Sequence, residues 1–184
     1  LISLASGVRF PPPARLTYRI MEELLSRVEA ACAKYRMLKP GERILVACSG
    51  GADSVALFHL LKKLSSRAGP PGRPCVKIRL ALVHYDHALR KDSSRDFQFV
   101  KSIAQKTKTP FYGGVRNLKK GIHRKGLSPE EAARNLRYDF FKTICKKTGI
   151  SKIALGHHRD DQAETVLMRI LQGTGLRGLQ GIRP

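Results

Sequence analysis

The chain has 184 residues, 42% of them hydrophobic, with 35 Lys and Arg against 14 Asp and Glu and a formal net charge of +21. That length and apolar content suit one domain with a sizeable core and exclude an intrinsically disordered chain. The charge excess repels itself unless an anionic partner is near, which favours nucleic acid over a merely soluble basic surface and counts against a protein built only for small substrates.

Four cysteines, Cys32, Cys48, Cys75 and Cys145, form no C-x-x-C pair. Their spacing gives no zinc or cluster motif and no disulfide framework, so a reducing, cytoplasmic compartment is expected. No apolar run reaches membrane-spanning length, and no membrane partner is expected.

In chain order, residues 1–20 hold no acid and include Pro11-Pro12-Pro13. They are faintly like a transit peptide and equally like an upstream extension, and they stay unassigned. Met21, Leu24, Leu25, Val28, Cys32 and Tyr35 recur at helical spacing, which predicts an amphipathic helix over 21–37. Lys39-Pro40-Gly41-Glu42 reads as a turn. Arg43–Cys48 reads as a short buried strand, and after a glycine pair Ser54–Leu64 reads as a helix. A Gly- and Pro-rich loop spans 67–74. Val76–Tyr85 is the next strand, followed by a helix over 93–107 capped by Ser93 or Ser94. Phe111–Val115 is a weaker strand. Ser128-Pro129-Glu130-Glu131 has the cap, the proline and the glutamate of a helix start, and that helix runs to about Lys147 and stops at Gly149. Lys152–Gly156 is the last strand and Asp160–Gln172 the last helix, closed by Gly173.

Strands alternate with helices throughout, so the predicted fold is α/β, a doubly wound parallel sheet. In such sheets ligands bind beyond the carboxyl ends of the strands, and three polar clusters fall there: Ser49–Ser54, His84–His87 and Gly156–Asp161. Gly50 and Gly51 allow a sharp bend and a close approach to a ligand. The N–H groups and helix N-terminus that follow suit a phosphate or pyrophosphate, with Ser49 and Ser54 as hydroxyl donors. Asp53 is an anion where anions should bind, which suggests a bridging Mg²⁺; the alternative is a helix-capping Asp. The Lys of a Walker A loop is absent, so transfer of a γ-phosphate is disfavoured.

Asp161 and Glu164 stand three apart and share a helix face able to grip an ammonium group or a metal, although Asp160 and Asp161 equally suit the helix dipole. At least one of His157 and His158 reads as a supporting hydrogen-bonding residue. Arg134 and Arg137 lie three apart, near Glu131; pairing with surface acids is the simpler reading and a phosphate contact the other. Gly173–Leu179 is glycine-dense, as a loop over the site or a linker would be. The charge-rich stretches Arg90–Arg95 and Arg116–Lys125 suit solvated surface and an RNA-facing rim equally.

Several of these stretches together resemble the tRNA(Ile)-lysidine synthetase family: S-G-G-A-D-S at Ser49–Ser54, H-Y-D-H-A-L-R at His84–Arg90, E-E-A-A-R at Glu130–Arg134 with Arg137-Tyr138, G-H-H-R-D-D-Q-A-E-T at Gly156–Thr165 and G-T-G-L-R-G-L at Gly173–Leu179. The likeness covers roughly residues 40–184. The resemblance implies an adenine nucleotide α-hydrolase-like fold over 21–184 and an ATP pyrophosphatase (PP-loop) domain. Further helical and C-terminal RNA-binding parts would then be missing beyond Pro184. It implies ATP and Mg²⁺ as cofactors. Ser49, Gly50, Gly51, Ala52, Asp53 and Ser54 would hold the nucleotide, with His84, Asp86 and His157 beside it and Asp53 at the metal. Asp161, Glu164 and Arg134 would hold free lysine. The implied reaction adenylates the wobble cytidine of isoleucine tRNA and joins lysine to it. Isoleucine tRNA and lysine are the implied partners, and a homodimer is an open expectation. The rival readings are another tRNA base-modifying enzyme of the cytidine thiolase type, an amide-forming ATP pyrophosphatase, and a basic RNA-binding module without catalysis.

Overall fold

The computed structural model describes residues 14–67, 77–86, 93–115, 129–157, 159–171 and 173. Two compact units divide after Lys39. The first holds helix α1, Ala14–Lys34. It starts earlier than the hydrophobic spacing indicates, directly after the proline run, whose rings cannot sit inside a helix. It also ends earlier. Arg36 takes φ 50°, Arg36 N–H bonds the Ala33 carbonyl and Met37 N–H bonds the Cys32 carbonyl, the bond pattern of a Schellman stop with arginine in the usual glycine position.

The second unit contains the sheet. Its elements are β1 (Arg43–Ala47), α2 (Ala52–Ser66), β2 (Arg79–Asp86), α3 (Ser93–Lys106), β3 (Phe111–Val115), α4 (Pro129–Thr148), β4 (Lys152–Leu155) and α5 (Arg159–Leu171). The strand order is β3-β2-β1-β4 and each pairing is parallel, so the expected doubly wound α/β sheet is present. Registers place Leu45 beside Ala81 and Ile153, and Ala47 beside Val83 and Leu155.

Side chains alternate across the sheet, so each strand feeds two cores. Leu45, Ala47, Ala81 and Val83 form one with Phe141 of α4 and Ile150, and Tyr85, Tyr112 and Phe140 pack on it. Ile44, Val46, Leu80 and Leu82 take the opposite face by alternation and are buried, as are Phe58 of α2 and Val100 of α3. Helix α2 packs on β1 and β2, and α3 on β2 and β3. Among the described residues no helix is long and apolar enough to cross a membrane.

This topology fixes the site. After β1 the chain moves outward through β2 and β3, then returns to the other side of β1 as β4. The strand order reverses between β1 and β4, and a crevice opens there at their carboxyl ends. The expected loop at 67–74 lies outside the described residues apart from Arg67. So do His87–Arg90, His158, Arg116–Lys125 and the glycine-rich segment after Gly173.

Candidate nucleotide-binding site

Beyond the carboxyl ends of β1, β2 and β4 lies a cleft of about 490 Å³. Ser49, Gly51, Asp53 and Ser54 line it from the β1–α2 connection, His84, Tyr85 and Asp86 from the end of β2, and Gly156 and His157 from the end of β4. Its size falls in the range of small-ligand sites, roughly 300–1,000 Å³.

The β1–α2 turn is built for close approach. Gly50 holds φ +94°, a conformation that side-chain-bearing residues rarely adopt. Gly51 is the N-cap of α2, with extended backbone and no side-chain hydrogen bond. The capping-Asp alternative therefore does not occur, because Asp53 lies inside the first turn. The N–H groups of that first turn have no side-chain cap, and Gly51, Asp53 and Ser54 line the cleft, which leaves them for an anion.

Ser54 fastens the turn from within. Its buried hydroxyl donates to the Gly51 carbonyl at 2.9 Å and accepts the Ser49 N–H at 3.1 Å, with the Ser49 hydroxyl also at 3.1 Å. The Ser54 proton is thus engaged by the protein's own backbone. Ser49, which is exposed, is the freer hydroxyl.

Two further contacts shape the opening. A Cβ on Gly156 would lie 3.0 Å from the Ser54 nitrogen and Cα, so the end of β4 passes directly against the start of α2. His84 is buried, with Nδ1 2.7 Å from the Cys48 carbonyl. A carbonyl only accepts, so Nδ1 carries a proton in this bond. This bond ties β2 to the residue that leads into the phosphate turn.

Sequence reasoning missed Asp96. It stands on the first turn of α3 and lines the cleft, and its Cβ, Cγ and Oδ1 lie 3.2–3.3 Å from where a Gly50 Cβ would be. The signal was available: in this fold the helix after each strand starts at the carboxyl edge, so the acid in Ser93-Ser94-Arg95-Asp96 had to arrive near the glycine turn. Neither Asp53 nor Asp96 has a hydrogen bond or ion pair among the described residues. Two unpartnered acids beside an anion site, in a chain with 35 basic residues, fit a cation carried in with the anion. Mg²⁺ takes one or two carboxylates plus phosphate oxygens in such sites, and this pair fits that donor set. Among the described residues no three His, Cys, Asp or Glu groups form a self-sufficient metal cage.

Arg137 and Tyr138 of α4 also line the cleft. Arg134 is exposed and outside this lining; its guanidinium carbon sits 5.7 Å from the Tyr138 ring centre and that of Arg137 sits 5.9 Å away. Neither arginine has an acid partner among the described residues, and the side chain of Glu131, the acid nearest them on α4, lies outside these. Asp161 and Glu164 share a face of α5 as expected, and neither lines the cleft.

The PP-loop domain family matches residues 20–184. The chain is similar to proteins named tRNA(Ile)-lysidine synthase. That of Thermotoga maritima is 42% identical over 148 residues, 80% of this chain and 34% of the relative. That of Geobacter sulfurreducens is 38% identical over 165 residues, 89% of this chain and 33% of the relative. The chain therefore spans about a third of the length of these relatives. In fold it is similar to the U34-tRNA thiolase NcsA from Methanococcus maripaludis with its [4Fe-4S] cluster, with a TM-score of 0.70 and 16% identity over 86% of this chain and 53% of that one. The uncapped glycine turn at the strand-order reversal and the family match over residues 20–184 agree: the chain belongs to the PP-loop family of ATP-using domains.

Proposed function

We propose that this chain is the ATP-handling part of a tRNA-modifying ligase that joins lysine to the wobble cytidine of isoleucine tRNA. The observation that carries the reading is the Gly51 N-cap, free of any side-chain cap and closed over by Gly156, with Asp53 and Asp96 on the same cleft. The names of the relatives support the choice of tRNA and lysine, and the net charge of +21 supports an RNA partner.

The chemistry follows from a poor electrophile. The carbonyl carbon of a cytosine ring resists attack by an amine in water. In the proposed reaction the carbonyl oxygen attacks the α-phosphorus of ATP and pyrophosphate leaves. The lysine side-chain amine then attacks the activated carbon and AMP departs with the oxygen. Ser49, Gly50, Gly51, Ala52 and the first-turn N–H groups of α2 would hold the phosphates and offset charge as pyrophosphate leaves. Asp53, with Asp96 opposite, would hold Mg²⁺, which would neutralise phosphate charge when bound. His84, Asp86 and His157 would border the nucleotide. Asp161, Glu164 and Arg134 would receive lysine, the two acids for its ammonium group and the arginine for its carboxylate.

A sulfur-transfer reading needs a reactive thiolate. Burial raises the Cys32 thiol, with the Glu29 charge adding to it, and burial also raises the Cys145 thiol. Both are shifted away from the thiolate form. The test is ATP–pyrophosphate exchange with isoleucine tRNA, lysine and cysteine supplied in turn. Exchange that requires the tRNA, and net pyrophosphate release that rises with lysine and not cysteine, is expected. Exchange indifferent to tRNA would overturn the reading.

A further inference from the structure

At the opposite edge of the sheet, where the strands begin, lies a second cavity of about 560 Å³. Arg43 enters it from the start of β1, Arg79 from the start of β2, Lys62 from α2 and Tyr112 from β3. No acid lines it among the described residues.

Two of these cations already have structural partners. Arg43 donates to the Thr148 carbonyl at the end of α4. Lys62 donates to the Thr107 carbonyl and the Thr109 hydroxyl after α3, each at 3.2 Å. Such bonds satisfy carbonyls at helix C-termini, where cations are favoured. They do not remove the charges from the wall, and a guanidinium keeps further donors after one is used. The Arg79 guanidinium and the Tyr112 hydroxyl have no hydrogen-bond or ion-pair partner among the described residues. Glu42, the acid next to Arg43, is held by Lys152 at 3.0 Å. The cavity is a positive well with donors to spare.

We infer that this cavity is a second RNA-contact site, in which Arg79 with Arg43, Lys62 and the Tyr112 hydroxyl holds a backbone phosphate of the RNA substrate. It is separate from the nucleotide cleft. Arg79 and Asp86 stand at opposite ends of β2, about 23 Å apart at ~3.3 Å per residue, so no phosphate of a nucleotide in the cleft reaches it. The inference rests on the tRNA reading, because an RNA chain that brings a base to the nucleotide cleft also carries backbone phosphates that can reach a second, distant site.

The test compares Arg79→Glu with Lys142→Glu, an equal charge change on an exposed α4 side chain. Binding of a short RNA hairpin is measured across a salt series, alongside binding of MgATP. Arg79→Glu is expected to weaken hairpin binding about tenfold and to flatten the log–log salt slope by about one, as loss of one phosphate contact does. Lys142→Glu should change affinity much less, and MgATP binding should be equal in all three proteins. Equal losses in the two variants would assign the effect to net charge and overturn the inference. A titration with inorganic phosphate alone, followed by the amide signals of Ile78 and Arg79, separates the sources. Saturable shifts there, with hairpin binding indifferent to Arg79→Glu, would assign the cavity to a free anion and overturn the RNA site. A parent chain that binds MgATP but no hairpin would overturn the tRNA reading itself, whereas hairpin binding untouched by Arg79→Glu overturns only this site.

Discussion

Gly156 at the end of β4 and Ser54 at the start of α2 pack backbone to hydrogen: a single added carbon on Gly156 would sit 3.0 Å from the Ser54 nitrogen. The turn that presents the first N–H groups of α2 is therefore held in place by the last strand of the sheet. Gly156→Val should push the two elements apart. The expected outcome is at least about a tenfold loss of MgATP affinity, ~1.4 kcal/mol, read by calorimetry. Circular dichroism of the variant should keep its helical signal, since neither element's interior is altered.

Gly50 faces two separate penalties. Its φ of +94° strains any side chain, and a methyl group would meet the Asp96 side chain at 3.2 Å. Gly50→Ala should cost on the order of 1–3 kcal/mol in denaturant unfolding. Adding Asp96→Ala removes the Cγ and Oδ1 contacts at 3.3 Å and keeps the Cβ contact at 3.2 Å, so it should return only part of the steric cost, and the double variant should lie between Gly50→Ala and the parent with Asp96→Ala. Full recovery would show that the dihedral carries no cost.

Asp53 and Asp96 should reveal themselves through magnesium. Without the metal, two carboxylates repel the phosphates; with it, they hold it. Asp53→Asn should therefore lower ATP affinity in magnesium while leaving it unchanged or raised in chelator. A variant equally weakened in both conditions would assign Asp53 to loop structure. Asp96→Asn should show the same sign with a smaller effect, because Asp53 sits within the phosphate turn itself.

Glu164 is exposed on α5 and outside the nucleotide cleft. If it receives the lysine ammonium, Glu164→Gln should raise the lysine concentration for half-maximal pyrophosphate release by roughly tenfold, the loss of one charge-assisted hydrogen bond. ATP affinity should not move. Identical lysine dependence in variant and parent would remove Glu164 from the lysine site.

Much of this arrangement is legible in the sequence because strand ends and glycine turns carry strong local signals. The parallel sheet follows from alternating elements, and the phosphate turn from Gly50-Gly51 after a buried strand. Strand β3 reads weakly because Gly113 and Gly114 lack strand-forming side chains. The reason lies in packing that local sequence does not show: a Cβ on Gly113 would lie 2.5 Å from the Phe97 ring, and one on Gly114 2.7 Å from Phe140. The rings of α3 and α4 occupy the space that side chains would fill. The end of α3 is set by its own backbone. Lys108 adopts φ 50° while Thr109 N–H bonds the Ala104 carbonyl, so the helix stops without glycine. Arg137 reaches the cleft through long-range packing of α4, which spacing along one helix cannot disclose, whereas Asp96 becomes legible once the fold sets the start of α3 at the carboxyl edge of the sheet. The choice of lysine as acceptor came from the family resemblance and not from periodicity.

The most direct measurement is a crystal structure with a non-hydrolysable ATP analogue and magnesium. The account expects phosphate oxygens against the N–H groups of residues 50–54, with the metal between them and Asp53. An analogue bound elsewhere, with the turn at Gly50-Gly51 empty and Asp53 directed away, would contradict it.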